Sequence, residues 1–492
     1  MFTCLLLACG GPLDTGSTRG SRGADALDDG DSAGSWTDTD PRSDTGWDED
    51  RADEDDTGEP AGSTDTDEPP AADPCAGLSR ELCWVRTHEM VISGLVPSMG
   101  APPADAVDAY YDDFGANTAH LWQNGLPEEV AAWRTQSGGD FRFIAWVQAD
   151  GTSSANQQVI GGVGAGADGL VAYQVGDEPE DMDAMVEIGV GVDAVRAADP
   201  DANVVVNFSA GKDEIEEMFS YYGDELGGGI FSYDRYSYGY AEYEDLMRVR
   251  DAGLRYGMPY WRYLRAYEDT GHSNWPEESD LRWQVYSGLT YGYTGHHWFV
   301  YQISSIHQVV SAFFESPDTW TGATERFDTA AELNRELAHL GSVITQLTST
   351  DVRFVPASTL YMPDDHQSWS RGAGGDPYLD GVEAVGLAVW EFQDLLVGLF
   401  EDDAGERYLM VQNGNHESAD WPLWTHDRVD VELSFDFSGA PGSVDTSVME
   451  VFDAQTGDVE RRSLSGDVLQ LELLAGEGVL MKYATGADWA RL

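Results

Sequence analysis

The chain has 492 residues and a formal charge of −62, from 89 acidic against 27 basic side chains. A surface so acidic repels phosphate, and no Lys/Arg stripe interrupts it, so nucleic acid is excluded as a partner. With 41% hydrophobic residues, 16 Trp and 22 Tyr, most of the chain should fold, and its length exceeds what one core usually supports.

The first nine residues end in Leu5-Leu6-Leu7-Ala8-Cys9, a short apolar run that resembles the lipobox of bacterial signal peptides. The resemblance implies cleavage before Cys9, acylation of that cysteine and display on the outer membrane or cell surface. The run is shorter than a usual signal segment and lacks a positive start. No later stretch reaches the roughly 18 apolar residues of a spanning helix, so the membrane would be reached only through the N-terminal lipid.

Residues 10–74 are mainly Asp, Thr, Ser, Gly, Glu and Pro, as in Asp53-Glu54-Asp55-Asp56. Such a segment buries too little apolar surface to offset the ordering of its backbone, and its like charges repel, which predicts an extended disordered tether. An acidic tail for a basic partner is the alternative. Cys75 and Cys83 follow where the tether ends, and in an oxidising location a local disulfide is expected rather than a metal site.

From 75 to 348 strand-like runs alternate with helix-like ones. The strands are expected at 90–96, 118–122, 141–148, 169–175, 203–208, 229–233, 257–264 and 294–301, with helices at 103–114, 127–135, 182–198, 213–222, 243–252 and 279–291. Eight such repeats predict an α/β fold, a (β/α)8 TIM barrel. The runner-up is an open doubly wound sheet, weakened by the lack of a Gly-x-Gly-x-x-Gly turn after the first strand. Between 349 and 492 short strands are separated by turns such as Asp402-Asp403-Ala404-Gly405. They predict a C-terminal antiparallel β-sandwich, with a strand at 385–390 among its seven.

Chemistry in such a barrel sits where strands end. The fourth strand runs directly into Gly176-Asp177-Glu178-Pro179, bringing two carboxyls to the mouth, and glycosidic cleavage needs one carboxyl as acid and a second as nucleophile or base. On composition alone an Asp-Glu-Pro turn is a solvated loop or helix cap. Asp177-Glu178-Pro179 resembles the Asn-Glu-Pro of the large retaining clan of (β/α)8 glycosidases and the Asp-Glu-Pro variant of glycoside-hydrolase-like barrels. Phe231-Ser232-Tyr233-Asp234-Arg235-Tyr236 and Pro259-Tyr260-Trp261 resemble later strand ends of those barrels. The resemblance spans roughly residues 83–483 and implies Glu178 as general acid. It also implies a nucleophilic Glu at the end of the seventh strand, where the first acid is Glu268. Asp234 is the other candidate for the second carboxylate. The bland readings are a loop-orienting Asp234 and a solvated Glu268.

Aromatic residues near strand ends are candidates for stacking on sugar rings: Trp122, Trp146, Tyr173, Tyr236, Trp261, Trp298 and Tyr301. Asp177, Gln123, Gln148, Asn207 and Gln302 are candidates for bonding hydroxyls; aromatics in strands are more often core. His296 and His297 point to opposite faces of a strand, and neither a metal nor another cofactor is expected. Two functions follow: a glycosidase for a poly- or oligosaccharide, or a non-catalytic carbohydrate-binding or scaffold protein on a barrel that has lost its seventh-strand Glu.

Overall fold

The computed structural model describes residues 74–97, 104–122, 126–138, 141–148, 168–269, 276–303, 309–316, 320, 322–356, 362–370, 375–387, 393–418 and 428–492. The expected lipidation at Cys9, the tether and Gln123 lie outside them. Among the described residues no helix is long and apolar enough to cross a membrane.

Eight parallel strands close into a barrel: β1 (Val91–Pro97), β2 (Thr118–Trp122), β3 (Phe143–Val147), β4 (Leu170–Val175), β5 (Val204–Phe208), β6 (Ile230–Tyr233), β7 (Tyr260–Arg265) and β8 (Gly295–Phe299). The circle is completed by β8 pairing with both β7 and β1, which rules out the open sheet. Strand seven starts later than expected because Gly257 (φ 64°) is the left-handed cap of the preceding helix, Tyr240–Tyr256.

The N-terminal end of the barrel is plugged by apolar side chains. Val91, Ile144, Val171, Ala172, Val205, Ile230 and Trp261 form one cluster, and Trp84 of the helix Arg80–Thr87 packs against it. The Cys75–Cys83 disulfide is present, with Cα atoms 5.0 Å apart. It ties the incoming chain to that helix, whose first turn is capped by Ser79 accepting from the Leu82 N–H.

A helix of 20 residues, Glu325–Ile344, was not among the expected elements. Its buried residues Phe327, Ala330, Ala331, Asn334, Leu337, Leu340, Gly341 and Ile344 recur at helical spacing, a readable signal. It leads into a seven-stranded sheet whose first long strand is Leu347–Val355. That sheet faces a three-stranded one across a shared core of Leu395, Val397, Val411, Val431, Leu433 and Leu471. Of the strand expected at 385–390, Val385 ends the strand Leu379–Val385 and 388–390 lie outside the described residues; Val459–Ser463, nearly all exposed, escaped a reading based on apolar runs.

The other face of the larger sheet rests on the barrel helix Glu278–Tyr291. A Cβ on Gly398 would stand 2.2 Å from the carbonyl oxygen of Thr290, so only glycine admits this approach. Asp280, fully buried at that helix's start, accepts from the Ser418 hydroxyl at 2.6 Å and lies 2.8 Å from His416 Nδ1.

Candidate active site

Along β4 the side chains alternate. Ala172 lies in the cluster that plugs the lumen and Gln174 bonds across the lumen, while Tyr173 and Val175 join the core beneath the helices. The chain then turns sharply, with Gly176 at φ 68° and Glu178 at φ 41°. The left-handed region is free for glycine but costs a residue with a Cβ on the order of 1–3 kcal/mol. Two hydrogen bonds hold the turn: Gly176 N–H donates to the Val147 carbonyl and Glu178 N–H to the Asn207 carbonyl, both at 2.9 Å.

Asn207 comes from β5 and is 1% exposed. Its Nδ2 donates to Asp177 Oδ1 at 2.8 Å, and its Oδ1 accepts from Ser232 Oγ on β6 at 3.2 Å. Asp234 follows β6 directly, its N–H donating to the Phe208 carbonyl at 3.2 Å. The Tyr236 hydroxyl donates to Asp234 Oδ2 at 3.2 Å. The Asp234 carboxyl comes within hydrogen-bonding reach of both the Glu178 carboxyl and the Asn207 amide. Its Oδ1 is buried without a partner of good geometry, so the meeting with Glu178 is a close approach rather than a formed bond.

Three carboxyls from two strand ends thus converge. Burial, then the charge of Glu178, push Asp234 well above the carboxylate range. Burial and Glu178 also raise Asp177, to about 7, against the lowering effect of its hydrogen bond from Asn207. At neutral pH the cluster holds a proton that exposed carboxyls would have lost.

Beneath the carboxyls the lumen is polar but uncharged. The Tyr263 hydroxyl donates to Gln174 Oε1 at 2.6 Å and lies 3.2 Å from His120 Nδ1, while Ser93 Oγ sits 2.5 Å from His297 Nδ1. Burial holds His120 down at about 3 and His297 well below its ordinary value, so both rings are neutral. At the rim, half-buried Tyr236 stacks on Phe299 with centroids 5.4 Å apart and meets Tyr267 edge-on at 5.3 Å.

Of the expected site residues, Asp177, Glu178, Asn207, Asp234 and Tyr236 come together. Asn207 is corrected from a ligand for sugar hydroxyls to a partner of the carboxyls, because its amide group is committed to Asp177 and Ser232. Glu268 does not join them: it lies half-buried on a short strand, Tyr267–Asp269, paired with Val309–Ser311. No interaction among the described residues ties it to Glu178 or Asp234.

Three aromatic candidates are corrected by burial. Tyr173 faces the helices, Trp261 plugs the opposite end of the barrel, and Trp298 points outward, its Nε1–H donating to Asn334 Oδ1 at 2.8 Å. Tyr301 is likewise core, packed edge-on to Tyr110. Trp146 is half-buried and, two residues beyond the lumen-facing Ile144, keeps the inner face of β3. Trp122 ends β2, but its side chain is outside the described set. Gln148 is exposed and Gln302 is buried, bonded through Oε1 to the Ile303 N–H.

His297 faces the lumen, whereas a Cβ on Gly288 of the helix layer would meet His296 Nε2 at 2.6 Å. The two rings therefore lie on opposite faces. Among the described residues no group of three His, Cys, Asp or Glu is placed to hold a metal.

Sequence reading missed Ser232, Gln174, Tyr263 and His120. The available signal was a polar side chain at an inward position of an otherwise apolar strand.

No protein-family model matches the chain, and no curated protein sequence does. The solved structures it resembles are glycoside hydrolases. A glycoside hydrolase family 5 protein from Bacteroides vulgatus aligns over 83% of this chain and 97% of its own, at 11% identity and a TM-score of 0.49. For α-galactosidase I from Mortierella vinacea the figures are 79%, 92%, 11% and 0.42; for the Saccharomyces cerevisiae α-galactosidase with raffinose, 83%, 95%, 9% and 0.42. At such scores the likeness bears on no residue of the site.

Proposed function

We propose that the chain is a glycoside hydrolase acting on a poly- or oligosaccharide, with Glu178 and Asp234 as its catalytic pair. The observation that carries this reading is the meeting of these two carboxyls at the C-terminal mouth of the barrel. Glycosidic cleavage needs one carboxyl that keeps its proton and one that gives it up. Burial and the neighbouring carboxylate keep the proton on Asp234, which makes Asp234 the donor in the resting site and Glu178 the nucleophile or base. This exchanges the roles implied by the Asn-Glu-Pro resemblance. A sugar entering the site has to part the two carboxyls to the about 5–5.5 Å of a retaining pair or the wider gap of an inverting one.

The test is a pair of isosteric variants on substrates of graded leaving group. Asp234→Asn should lower turnover on natural glycans by about 10²–10⁴-fold and much less on nitrophenyl glycosides, which depart without protonation. Glu178→Gln should depress both alike. The opposite pattern returns the acid role to Glu178, and undiminished activity in both variants ends the proposal.

One observation favours a second reading, a carbohydrate-binding protein on a barrel without catalysis: β7 ends in Tyr263, Leu264 and Arg265 and carries no acid. Binding of a glycan panel with no hydrolysis would select it. In either case the chain is proposed to be held at the cell surface through Cys9. Cys9→Ser should release it from the membrane fraction, and a variant that stays membrane-bound contradicts the anchor.

A further inference from the structure

Asn207 is bonded to both Asp177 and Glu178 and comes within reach of Asp234. Its carbonyl accepts from the Glu178 N–H at 2.9 Å, its Nδ2 donates to Asp177 at 2.8 Å, and the same amide reaches Asp234. Behind it, Ser232 Oγ donates to Asn207 Oδ1 at 3.2 Å. Both residues are at most 1% exposed, so the Ser232–Asn207 bond is shielded from bulk water.

We propose that Asn207, oriented by Ser232, is the positioning residue that sends the site's proton to Asp234 rather than Asp177. The physical reason is asymmetry. A donor held 2.8 Å from Asp177 Oδ1 favours the charged form of that carboxyl. Asp234 has no such formed bond from Asn207, and burial, then the charges of Glu178 and Asp177, raise it well above the carboxylate range, so it is the group that keeps the proton.

The remaining groups around Asp234 and Asp177 do not create this bias. Tyr236 donates to Asp234 Oδ2 from two residues along the chain. Tyr263 of β7 is engaged by Gln174 and His120, and His120 is buried and neutral. The cation at this rim, Arg265, turns to the carbonyl of Tyr236 and the ring of Tyr267. Asn207 forms a 2.8 Å hydrogen bond to Asp177 and only approaches Asp234, whereas the Tyr236 donation to Asp234 favours the opposite bias.

The inference deepens the glycosidase reading and rests on it for the proton's use, though not for its location. The measurement is therefore made without substrate, on the full chain: infrared titration of the protonated-carboxyl band, assigned by its loss in Asp234→Asn. In Asn207→Leu, which keeps the volume and removes the donor, the Asp177 carboxyl should take up the proton. The midpoint of the band lost in Asp234→Asn should fall by about 1–2 pH units, the size of one hydrogen bond to a charged group. A second protonated band should appear that is removed by Asp177→Asn.

Ser232→Ala, a milder change that keeps the amide, should move the same midpoint in the same direction by less. The acidic limb of the pH–rate profile should then move with the bands. An unmoved Asp234 band in both variants overturns the proposal. Moved bands in a chain that hydrolyses no glycan leave the proton assignment standing and sink the glycosidase reading instead.

Discussion

The two ends of the barrel are built from the same strands to opposite ends. At the N-terminal end Val91, Ile144, Val205, Ile230 and Trp261 fill the lumen with apolar side chains, closed over by Trp84. At the C-terminal end Asp177, Glu178, Asn207, Ser232 and Asp234 bring three carboxyls, Asp234 buried and the other two half-buried, into one polar cluster, with Glu178 in a left-handed backbone conformation. The first arrangement gains free energy by removing apolar area from water; the second loses it by desolvating acids. A barrel tolerates such a mouth because its other end and its helix layer are packed without such compromises.

The largest contrast should come from truncating the plug. Trp261→Ala removes a fully buried ring whose centroid lies 5.3 Å from that of His297, and should cost about 3–5 kcal/mol in urea unfolding at pH 8, where that imidazole is neutral. Whatever hydrolytic rate the chain shows should survive in the folded fraction. A cost below about 1 kcal/mol at pH 8 would break the comparison.

At the mouth the sign reverses. Asp177 and Asp234 have folded-state values above those of an unfolded chain. The native state therefore binds more protons, and stability falls as pH rises from about 4, through about 7 for Asp177. Asn at position 234 carries no charge in either state. Asp234→Asn should match the wild type near pH 4 and exceed it increasingly towards pH 8, read from urea midpoints. A variant less stable than wild type at pH 8 would show that Asp234 stabilises the fold by its bonds. Buried Asp280 has the opposite sign: its value is held low by the hydrogen bond and charge of His416, against burial, which raises it. Its stabilisation is lost only as pH falls below the ordinary carboxylate range.

The smallest effect is expected just outside the cluster. Glu268→Gln alters a half-buried residue of a two-stranded sheet, with no tie to the pair among the described residues; stability should stay within about 0.5 kcal/mol and turnover within about twofold. A loss comparable to that of Asp234→Asn would restore Glu268 as the second catalytic carboxylate.

The succession of strands and helices was legible because its signals are local. Apolar runs bounded by Gly, Pro and Asp located all eight barrel strands to within a few residues, and Gly176-Asp177-Glu178-Pro179 could be placed after the fourth by counting. Which face each strand side chain takes was not legible. Strands buried on both sides carry no hydrophobic alternation, so Trp261 and Trp298 looked equally fit for a sugar cleft, although one plugs the far end of the lumen and the other points outward to Asn334. The meeting of Asp177, Asn207 and Asp234, spread over 58 positions of the chain from 177 to 234, was decided by the stagger of β4, β5 and β6. Hydrogen-bond register between neighbouring strands is a property of the closed sheet, and no single segment encodes it.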